Sequence, residues 1–210
     1  MFYDVHYWIE TAWGLVAIFW ALTALRLKPV VRTQRTGSRL LPVSLLVSAA
    51  VLLFSARPHA ALLDSRILPD SALTALAGIT LTVAGALVAI MARVYLGRNW
   101  SGRATIKEGH ELVRNGPYAL VRHPIYTGLL IAAIGTAIAF GQVRNLAALP
   151  LLLLGFRLKL REEERLLFQA FGAQYSAYQQ AVRSAIIPFI LWGRDDAKAN
   201  PGSGGNGGSH

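Results

Sequence analysis

A bundle of about five transmembrane helices is the architecture that this sequence predicts, which makes it an all-α integral membrane protein. Hydrophobic residues form 54% of the 210-residue chain and charged residues only 15%, whereas a soluble domain carries roughly 25% charged residues. Apolar stretches recur that approach the length needed to cross a hydrocarbon core of about 30 Å. The basic residues are concentrated between these stretches, as is typical of cytoplasmic loops.

Four of the predicted spans are simple apolar stretches, and they are, in chain order, Val5 to Leu25, Leu40 to Ala56, Ser71 to Ala92 and Pro124 to Gly141. The third is rich in small residues, which let helices approach closely in lipid. The fifth helix begins as the apolar stretch Asn145 to Phe156 and continues directly into a charged segment. We therefore expect the end of the fifth helix to leave the hydrocarbon and extend into the cytosol.

Loop charges predict the orientation of the bundle. The first and third connections carry most of the basic residues, while the second is balanced by acids and the fourth carries only Arg144. The positive-inside rule then places the first and third loops in the cytoplasm. The N-terminus is expected outside and the C-terminus inside, so the stretch from Arg93 to His123 shares the cytoplasmic face with the helix after Lys159.

The remaining composition narrows the classes of function. The formal net charge of +10 suits anionic headgroups, since the sequence shows no stacking platform or basic helix face for nucleic acid. The chain has no cysteine, which excludes thiolate metal sites and cysteine nucleophiles. The spacing of His110 and His123 matches no metal-ligand pattern, so no metal site is predicted.

The first segment whose side chains could bind a ligand or take part in catalysis lies between the third span and the start of the fourth. It consists of His110-Glu111-Leu112-Val113, the turn signal Asn115-Gly116-Pro117, Tyr118, and then Arg122-His123-Pro124-Ile125-Tyr126. Proline is favoured at the first helical position, so His123 should lie near the N-cap and Tyr126 in the first turn. A helix start offers unpaired N–H groups and the positive end of the dipole, which suits a carboxylate such as that of a methionine moiety.

The second segment continues the fifth helix through Lys159-Leu160-Arg161-Glu162-Glu163-Glu164 towards Tyr175 and Tyr178. Lys159 and Glu163 are four residues apart and should share one helix face. A carboxylate there can accept hydrogen bonds from ribose hydroxyls or an amino group, and the cations can neutralise an anionic substrate. The alternatives are ordinary: Arg122 and His123 as membrane-interface residues, a solvated acidic run, and tyrosines that only pack.

Taken together, the two segments resemble the isoprenylcysteine carboxyl methyltransferase family, which belongs to a wider group with the membrane phospholipid methyltransferases. The resemblance covers roughly Leu96 to Pro188. Its motifs are, in chain order, His110-x-Leu-Val113, Gly116-x-Tyr118, Arg122-His-Pro-x-Tyr126-x-Gly128, the acidic run, Phe171-Gly172-x-x-Tyr175-x-x-Tyr178 and Ile187-Pro188.

The resemblance implies a multi-span helical fold with S-adenosylmethionine bound near the cytoplasmic interface. The positions that it implies as cofactor contacts are His110, Glu111, Leu112, Val113, Tyr118, His123, Pro124, Ile125, Tyr126 and Glu163. Lys159 matches a position where eukaryotic members carry an arginine that contacts substrate. Lysine acts as a point charge and not as a bidentate donor, so Arg157 or Arg161 is an alternative catalytic cation.

The expected activity is methyl transfer to an amphipathic or lipid-like acceptor that enters from the bilayer, with an isoprenylcysteine-like carboxylate favoured. The expected regions are N-terminal transmembrane helices over 1–95, a methyltransferase region over 96–192 and a disordered Gly-rich tail over 193–210. Two alternatives stay open, a membrane NADPH-dependent reductase and a non-enzymatic membrane adaptor or transporter. Neither the acceptor nor the oligomeric state follows from the sequence.

Overall fold

The computed structural model describes residues 2–24, 30–33, 40–55, 61–97, 105–107 and 112–187. Within these ranges the chain forms seven α-helices, two short β-strands and one 3-10 helix over Gly116–Ala119. The helices are α1 Phe2–Ala24, α2 Leu40–Phe54, α3 Ala61–Asp64, α4 Ala72–Leu96, α5 Pro124–Phe140, α6 Val143–Phe171 and α7 Ala173–Ala181, and the strands are β1 Val30–Thr33 and β2 Thr105–Lys107.

The five predicted spans correspond to α1, α2, α4, α5 and the first half of α6. Among the described residues, α4 alone is both long and apolar enough to cross a membrane by itself, with a mean hydropathy of 2.2 in its most apolar window. Helices α2 and α5 are apolar but shorter. The continuation of the fifth helix is confirmed, because α6 runs unbroken for 29 residues from Val143 to Phe171. The number of spans stays a prediction.

The all-α prediction is confirmed for the bundle, and two short strands add to it. Strands β1 and β2 pair antiparallel, with Val30 opposite Lys107 and Thr33 opposite Thr105. They lie in the first and third connections, the two basic loops that the charge pattern predicted on one side of the membrane. The β1–β2 pairing joins two loop segments, and the paired residues Thr33 and Thr105 are 72 positions apart. The helical periodicity of the predicted spans therefore carries no information on it. The pairing confirms that these two loops meet at the same end of the bundle.

The other two connections meet at the opposite end of α4. The backbone N–H of Ile67 donates to the carbonyl of Gly141 at 2.8 Å, and that of Val143 donates to Ser65 at 3.0 Å. The Arg144 guanidinium lies 3.3 Å from the Asp64 carboxylate. The bundle therefore has two distinct ends, which we call the β-ribbon end, where β1 and β2 pair, and the Asp64 end.

Helices α4 and α5 pack along a seam of small residues, the α4–α5 seam. The contacts run antiparallel, from Gly78 against Ala139 to Gly85 against Ala132, and Gly128 against Ala89. A side chain at Gly85 would collide with the backbone of Ala132. Such close approach is how helices associate in lipid, where hydrophobic burial gives little drive.

Buried polar side chains fix further helix contacts. The Trp13 indole N–H donates to the Thr136 hydroxyl at 3.0 Å, which ties α1 to α5. The Asn145 amide donates to the carbonyl of Leu53 at 3.0 Å, which ties α6 to the end of α2. Both contacts involve the later part of α5 or the first turn of α6, so they anchor the bundle away from the predicted site residues.

Candidate active site

Five side chains from the start of α5 and the second half of α6 converge at the β-ribbon end. We call them the α5–α6 cluster, and they are Arg122, His123, Tyr126, Glu163 and Glu164. Helix α5 begins at Pro124 with His123 as its N-cap, as predicted from the preference of proline for the first helical position. Tyr126 is the third residue of α5, and its side chain points towards α6.

Glu164 is the electrostatic centre of the cluster. The Arg122 guanidinium Nε donates to Glu164 Oε1 at 2.8 Å, and the His123 Nε2 lies 3.1 Å from the same oxygen. The Arg122 side chain is only 3% exposed and the Glu164 side chain 15% exposed. The expected alternative of a membrane-interface Arg122 and a solvated Glu164 is therefore wrong, since both charges are withdrawn from solvent and paired.

Arg122 also fastens the segment after α7 across the start of α5. Its Nη1 donates to the carbonyls of Val182 at 2.8 Å and Arg183 at 2.9 Å. The backbone N–H of Arg122 donates to Ser184 at 3.0 Å, and that of His123 donates to Ala185 at 2.9 Å. One buried guanidinium thus connects α5, α6 and the 182–185 segment.

The charge state of Glu164 follows from these partners. Burial alone would raise the pKa of its carboxyl, but the hydrogen bonds and positive charge of His123 and Arg122 outweigh burial and hold that pKa below its ordinary value. Gln179 adds a weaker contact, with its amide nitrogen 3.4 Å from the second carboxylate oxygen. Glu164 is consequently ionised at neutral pH, and its charge is matched within the protein.

Glu163 differs from Glu164 because half of its carboxylate is unused. The Tyr126 hydroxyl donates to Glu163 Oε1 at 2.6 Å. Glu163 Oε2 lies 3.8 Å from His123 Nδ1, which is beyond hydrogen-bond distance, and it accepts no hydrogen bond from the described residues. Its side chain is 19% exposed. Glu163 therefore presents one acceptor oxygen that a ligand can use.

Lys159 stands one turn before Glu163 on the same face, as the spacing predicted. Its Nζ lies 5.5 Å from the centroid of the Tyr126 ring, within the range of a cation–π contact. The same ring packs on Phe156, with ring centroids 4.9 Å apart. Tyr126 is thus held between a cation, a carboxylate and an aromatic ring.

The start of α5 is a poorer seat for a carboxylate than the sequence suggested. Pro124 has no N–H, and the N–H of His123 donates to Ala185. The N–H groups of Tyr126 and Thr127 both donate to the His123 carbonyl. Of the first amides, only that of Ile125 has no hydrogen bond among the described residues, so the helix end offers one donor and not a cluster of them.

The other predicted cofactor residues form apolar surroundings for the cluster. Tyr118, Ile125 and Val113 pack with the end of α4, while Leu112 packs against α7. Burial raises the pKa of the Tyr118 phenol, and the nearby negative charge of Glu163 raises it further. Tyr118 is therefore a neutral hydrogen-bonding group close to the Glu163 carboxylate. His110 and Glu111 lie outside the described residues.

The structure also places three further residues that the sequence analysis singled out. Arg161, predicted as an alternative catalytic cation, is exposed and enters no ion pair with the residues that the structure describes. Tyr175 and Tyr178, for which simple packing was the alternative reading, are buried, and the Tyr178 hydroxyl donates to the Tyr118 carbonyl at 2.7 Å. Within the described ranges, His, Asp and Glu form no group of three suited to a metal ion.

The fold is similar to that of a membrane enzyme of known structure. The chain superposes on the solved eukaryotic intramembrane Ras methyltransferase, isoprenylcysteine carboxyl methyltransferase, with a TM-score of 0.51 and 26% identity. The superposition covers 77% of this chain and 55% of the solved one. The chain therefore shares its helical fold with a membrane methyltransferase of known structure.

Sequence comparison finds similarity to one family. The model of the isoprenylcysteine carboxyl methyltransferase family matches residues 78–169, from α4 into α6, and this range contains the whole α5–α6 cluster. The resemblance inferred from the motifs is confirmed. A probable protein-S-isoprenylcysteine O-methyltransferase from Oryza sativa subsp. indica is 35% identical over 116 residues, which are 54% of this chain and 60% of that protein.

A bacterial relative carries a different name. The cobalt-zinc-cadmium resistance protein CzcN of Cupriavidus metallidurans is 33% identical over 97 residues, which are 44% of this chain and 42% of that protein. The chain thus spans less than two thirds of the rice relative and of the solved structure. The family match, over residues 78–169, includes the segment that builds the cluster.

Proposed function

We propose that this chain is an integral-membrane, S-adenosylmethionine-dependent methyltransferase whose acceptor is the carboxylate of an isoprenylcysteine-like molecule. The observation that carries the proposal is the cluster itself: His123, Tyr126 and Glu163 converge at one helix start, inside the segment that matches the family. Five spans, with the N-terminus outside and the β-ribbon end in the cytoplasm, complete the proposal. That placement exposes the cluster to a soluble cofactor.

The donor set of the cluster fits this cofactor. S-adenosylmethionine supplies a methyl group on a cationic sulfur and also carries an amino group and ribose hydroxyls. Arg122 already neutralises Glu164, so Glu163 is the carboxylate of the pair left to balance a cationic ligand. Its open oxygen accepts hydrogen bonds from amino or hydroxyl groups, and charge-assisted bonds of this kind are the stronger ones.

The apolar residues around the cluster suit the remaining parts of the cofactor. Leu112, Val113 and Ile125 supply an apolar wall, and Tyr118 adds a neutral phenol. The predicted contacts at His110, Glu111 and Pro124 stay predictions. The chain's own contribution would be to orient the bound groups and exclude water, because transfer from sulfur to a carboxylate needs no metal and no covalent enzyme intermediate.

Lys159 is the cation proposed to face the acceptor carboxylate. It lies over Tyr126 and one turn from Glu163, so it brings positive charge to the same surface of α6. Nearby, a buried apolar cluster joins α5, α6 and the segment after α7, and its members are Leu130, Phe156, Leu160 and Ile186. An acceptor with a carboxylate head and an isoprenoid chain suits this arrangement, because the carboxylate would face Lys159 and the chain would lie towards the apolar residues.

Two paired measurements test the proposal. Calorimetric titration of the purified protein with S-adenosylhomocysteine should show binding at micromolar strength, while NADPH should show none. Methyl transfer should occur to an S-farnesylcysteine derivative with a free carboxylate and should be absent with the matched carboxamide. Binding of NADPH without a response to S-adenosylhomocysteine would favour the reductase alternative, and binding of neither would favour a non-enzymatic protein.

A further inference from the structure

The face of α6 that points away from the cluster carries a second pattern. We call it the α6 basic stripe, and its members, separated by three or four residues, are Leu154, Arg157, Arg161, Arg165 and Phe168. Residues three and four apart lie on one side of a helix. At about 100° per residue, the stripe is centred roughly 160° around α6 from Glu163. It is therefore a different surface from the site.

The stripe is open to its surroundings. Arg161 and Arg165 are exposed and enter no ion pair with the described part of the chain. The apolar residues at its two ends are also exposed, Leu154 by 46% and Phe168 by 52%. The acids nearest to the stripe around the helix are Glu164, which is engaged with Arg122 and His123, and Glu162, three residues before Arg165, which forms no ion pair with the described residues.

The helix itself supplies too little negative charge for these arginines. Arg157 with Arg161, and Arg161 with Arg165, are like-charge pairs four residues apart, and such pairs destabilise a helix. An anion bound between neighbouring guanidinium groups would relieve that repulsion. Guanidinium groups bind phosphate oxygens with two parallel hydrogen bonds, which makes phosphate a fitting partner.

The position of the stripe along α6 identifies the source of the phosphate. The apolar part of α6, from Asn145 to Phe156, is about 18 Å long, which is shorter than a hydrocarbon core of about 30 Å. Arg161 and Arg165 lie about 24 and 30 Å along the helix from Asn145, which places them at the far boundary of that core, at headgroup level. An upright helix would carry Phe168 about 21 Å beyond Leu154 into water, whereas an oblique helix keeps this exposed aromatic at the interface, where such residues are enriched.

We propose that the α6 basic stripe binds the phosphate groups of anionic phospholipids in the leaflet at the β-ribbon end. Arg161 and Arg165 are the principal contacts, and Phe168 inserts at the interface beside them. Arg161 then serves lipid binding and not the acceptor site. The inference stands whether or not the chain is a methyltransferase, since it uses the opposite face of α6.

Native mass spectrometry of the detergent-purified protein tests this, by titration with phosphatidylglycerol and phosphatidylcholine at low ionic strength. The variants are Arg161→Gln/Arg165→Gln and, as a control with the same change in net charge, Arg114→Gln/Arg183→Gln, whose side chains are exposed away from the stripe. An arginine near an anionic surface is worth about fivefold in affinity, so the stripe variant should bind phosphatidylglycerol about 25-fold more weakly. The control should keep the wild-type preference.

A charge-preserving variant, Arg161→Lys/Arg165→Lys, guards against effects on folding and should retain most of the preference for phosphatidylglycerol. Unchanged lipid preference in the stripe variant would overturn the proposal, as would an equal loss in the control, which would point to net charge alone. Retention of phosphatidylcholine and phosphatidylglycerol to the same extent by the wild type would overturn it as well.

Discussion

Helix α5 packs against its two neighbours in opposite ways. Along α4 it meets small residues, and the backbones approach so closely at Gly85 and Gly128 that no side chain fits between them. Towards α6 its first turn meets charged groups, and buried ion pairs replace close packing. The seam holds the bundle together, while the cluster positions side chains that a ligand can reach. Stability and binding should therefore respond to different substitutions.

The largest effect is expected from filling the seam. A side chain at Gly85 meets the backbone of Ala132 and the carbonyl of Gly128, so Gly85→Leu cannot be accommodated by rotating a neighbouring side chain. We expect little monodisperse protein in size-exclusion chromatography. Gly14→Leu is the matched control, because a Cβ at Gly14 has no heavy atom within 4 Å, and it should purify like the wild type. Normal behaviour of Gly85→Leu would mean that the seam is not closely packed.

A smaller loss is expected from opening the ion pairs of the cluster. Glu164→Gln leaves the buried Arg122 guanidinium without its counter-charge, and removal of one partner of a buried pair costs about 3–5 kcal/mol of stability. The expected value is near the lower end, since glutamine keeps one acceptor oxygen. Thermal unfolding in detergent measures it against Glu162→Gln, which removes a neighbouring charge with no described ion pair. Equal melting temperatures for the two variants would contradict the role given to Glu164.

The smallest effect is expected in the pH dependence of stability, at acidic pH. The pKa of Glu164 in the folded protein lies below its unfolded value of roughly 4.3, so its contribution to stability is complete above that pH. The contribution is lost as the pH falls through the folded pKa, because protonation removes the charge that Arg122 and His123 stabilise. The difference in melting temperature between the wild type and Glu164→Gln should therefore shrink below about pH 4. A constant difference across that range would show that Glu164 is not held ionised.

The sequence predicted the helices and the start of the site well, for clear physical reasons. Apolar runs located the long helices, and Pro124 placed the beginning of α5 with His123 at its cap. The i,i+4 spacing placed Lys159 and Glu163 on one face of α6. Loop charges correctly grouped the first and third connections, which the β1–β2 pairing brings together.

What the sequence could not give were contacts between segments far apart in the chain. Arg122 and Glu164 are 42 residues apart, and nothing in either local pattern shows that they pair. The adjacency of Arg122 to His123 at a helix start was the available signal, but basic residues flank many spans. The alternative of a solvated acidic run does not hold at Glu164, because residue spacing gives the direction of a side chain and not the identity of the neighbouring element.

The central claim is that the Glu163 carboxylate binds the cofactor, and one titration tests this claim most directly. S-adenosylhomocysteine should bind Glu163→Gln about ten- to a hundredfold more weakly than the wild type, because one charge-assisted hydrogen bond is worth roughly 1.5–3 kcal/mol. The melting temperature should stay unchanged, since glutamine can still accept the Tyr126 hydroxyl. Glu162→Gln, the neighbouring control, should bind like the wild type. Equal affinities for Glu163→Gln and Glu162→Gln would contradict the account.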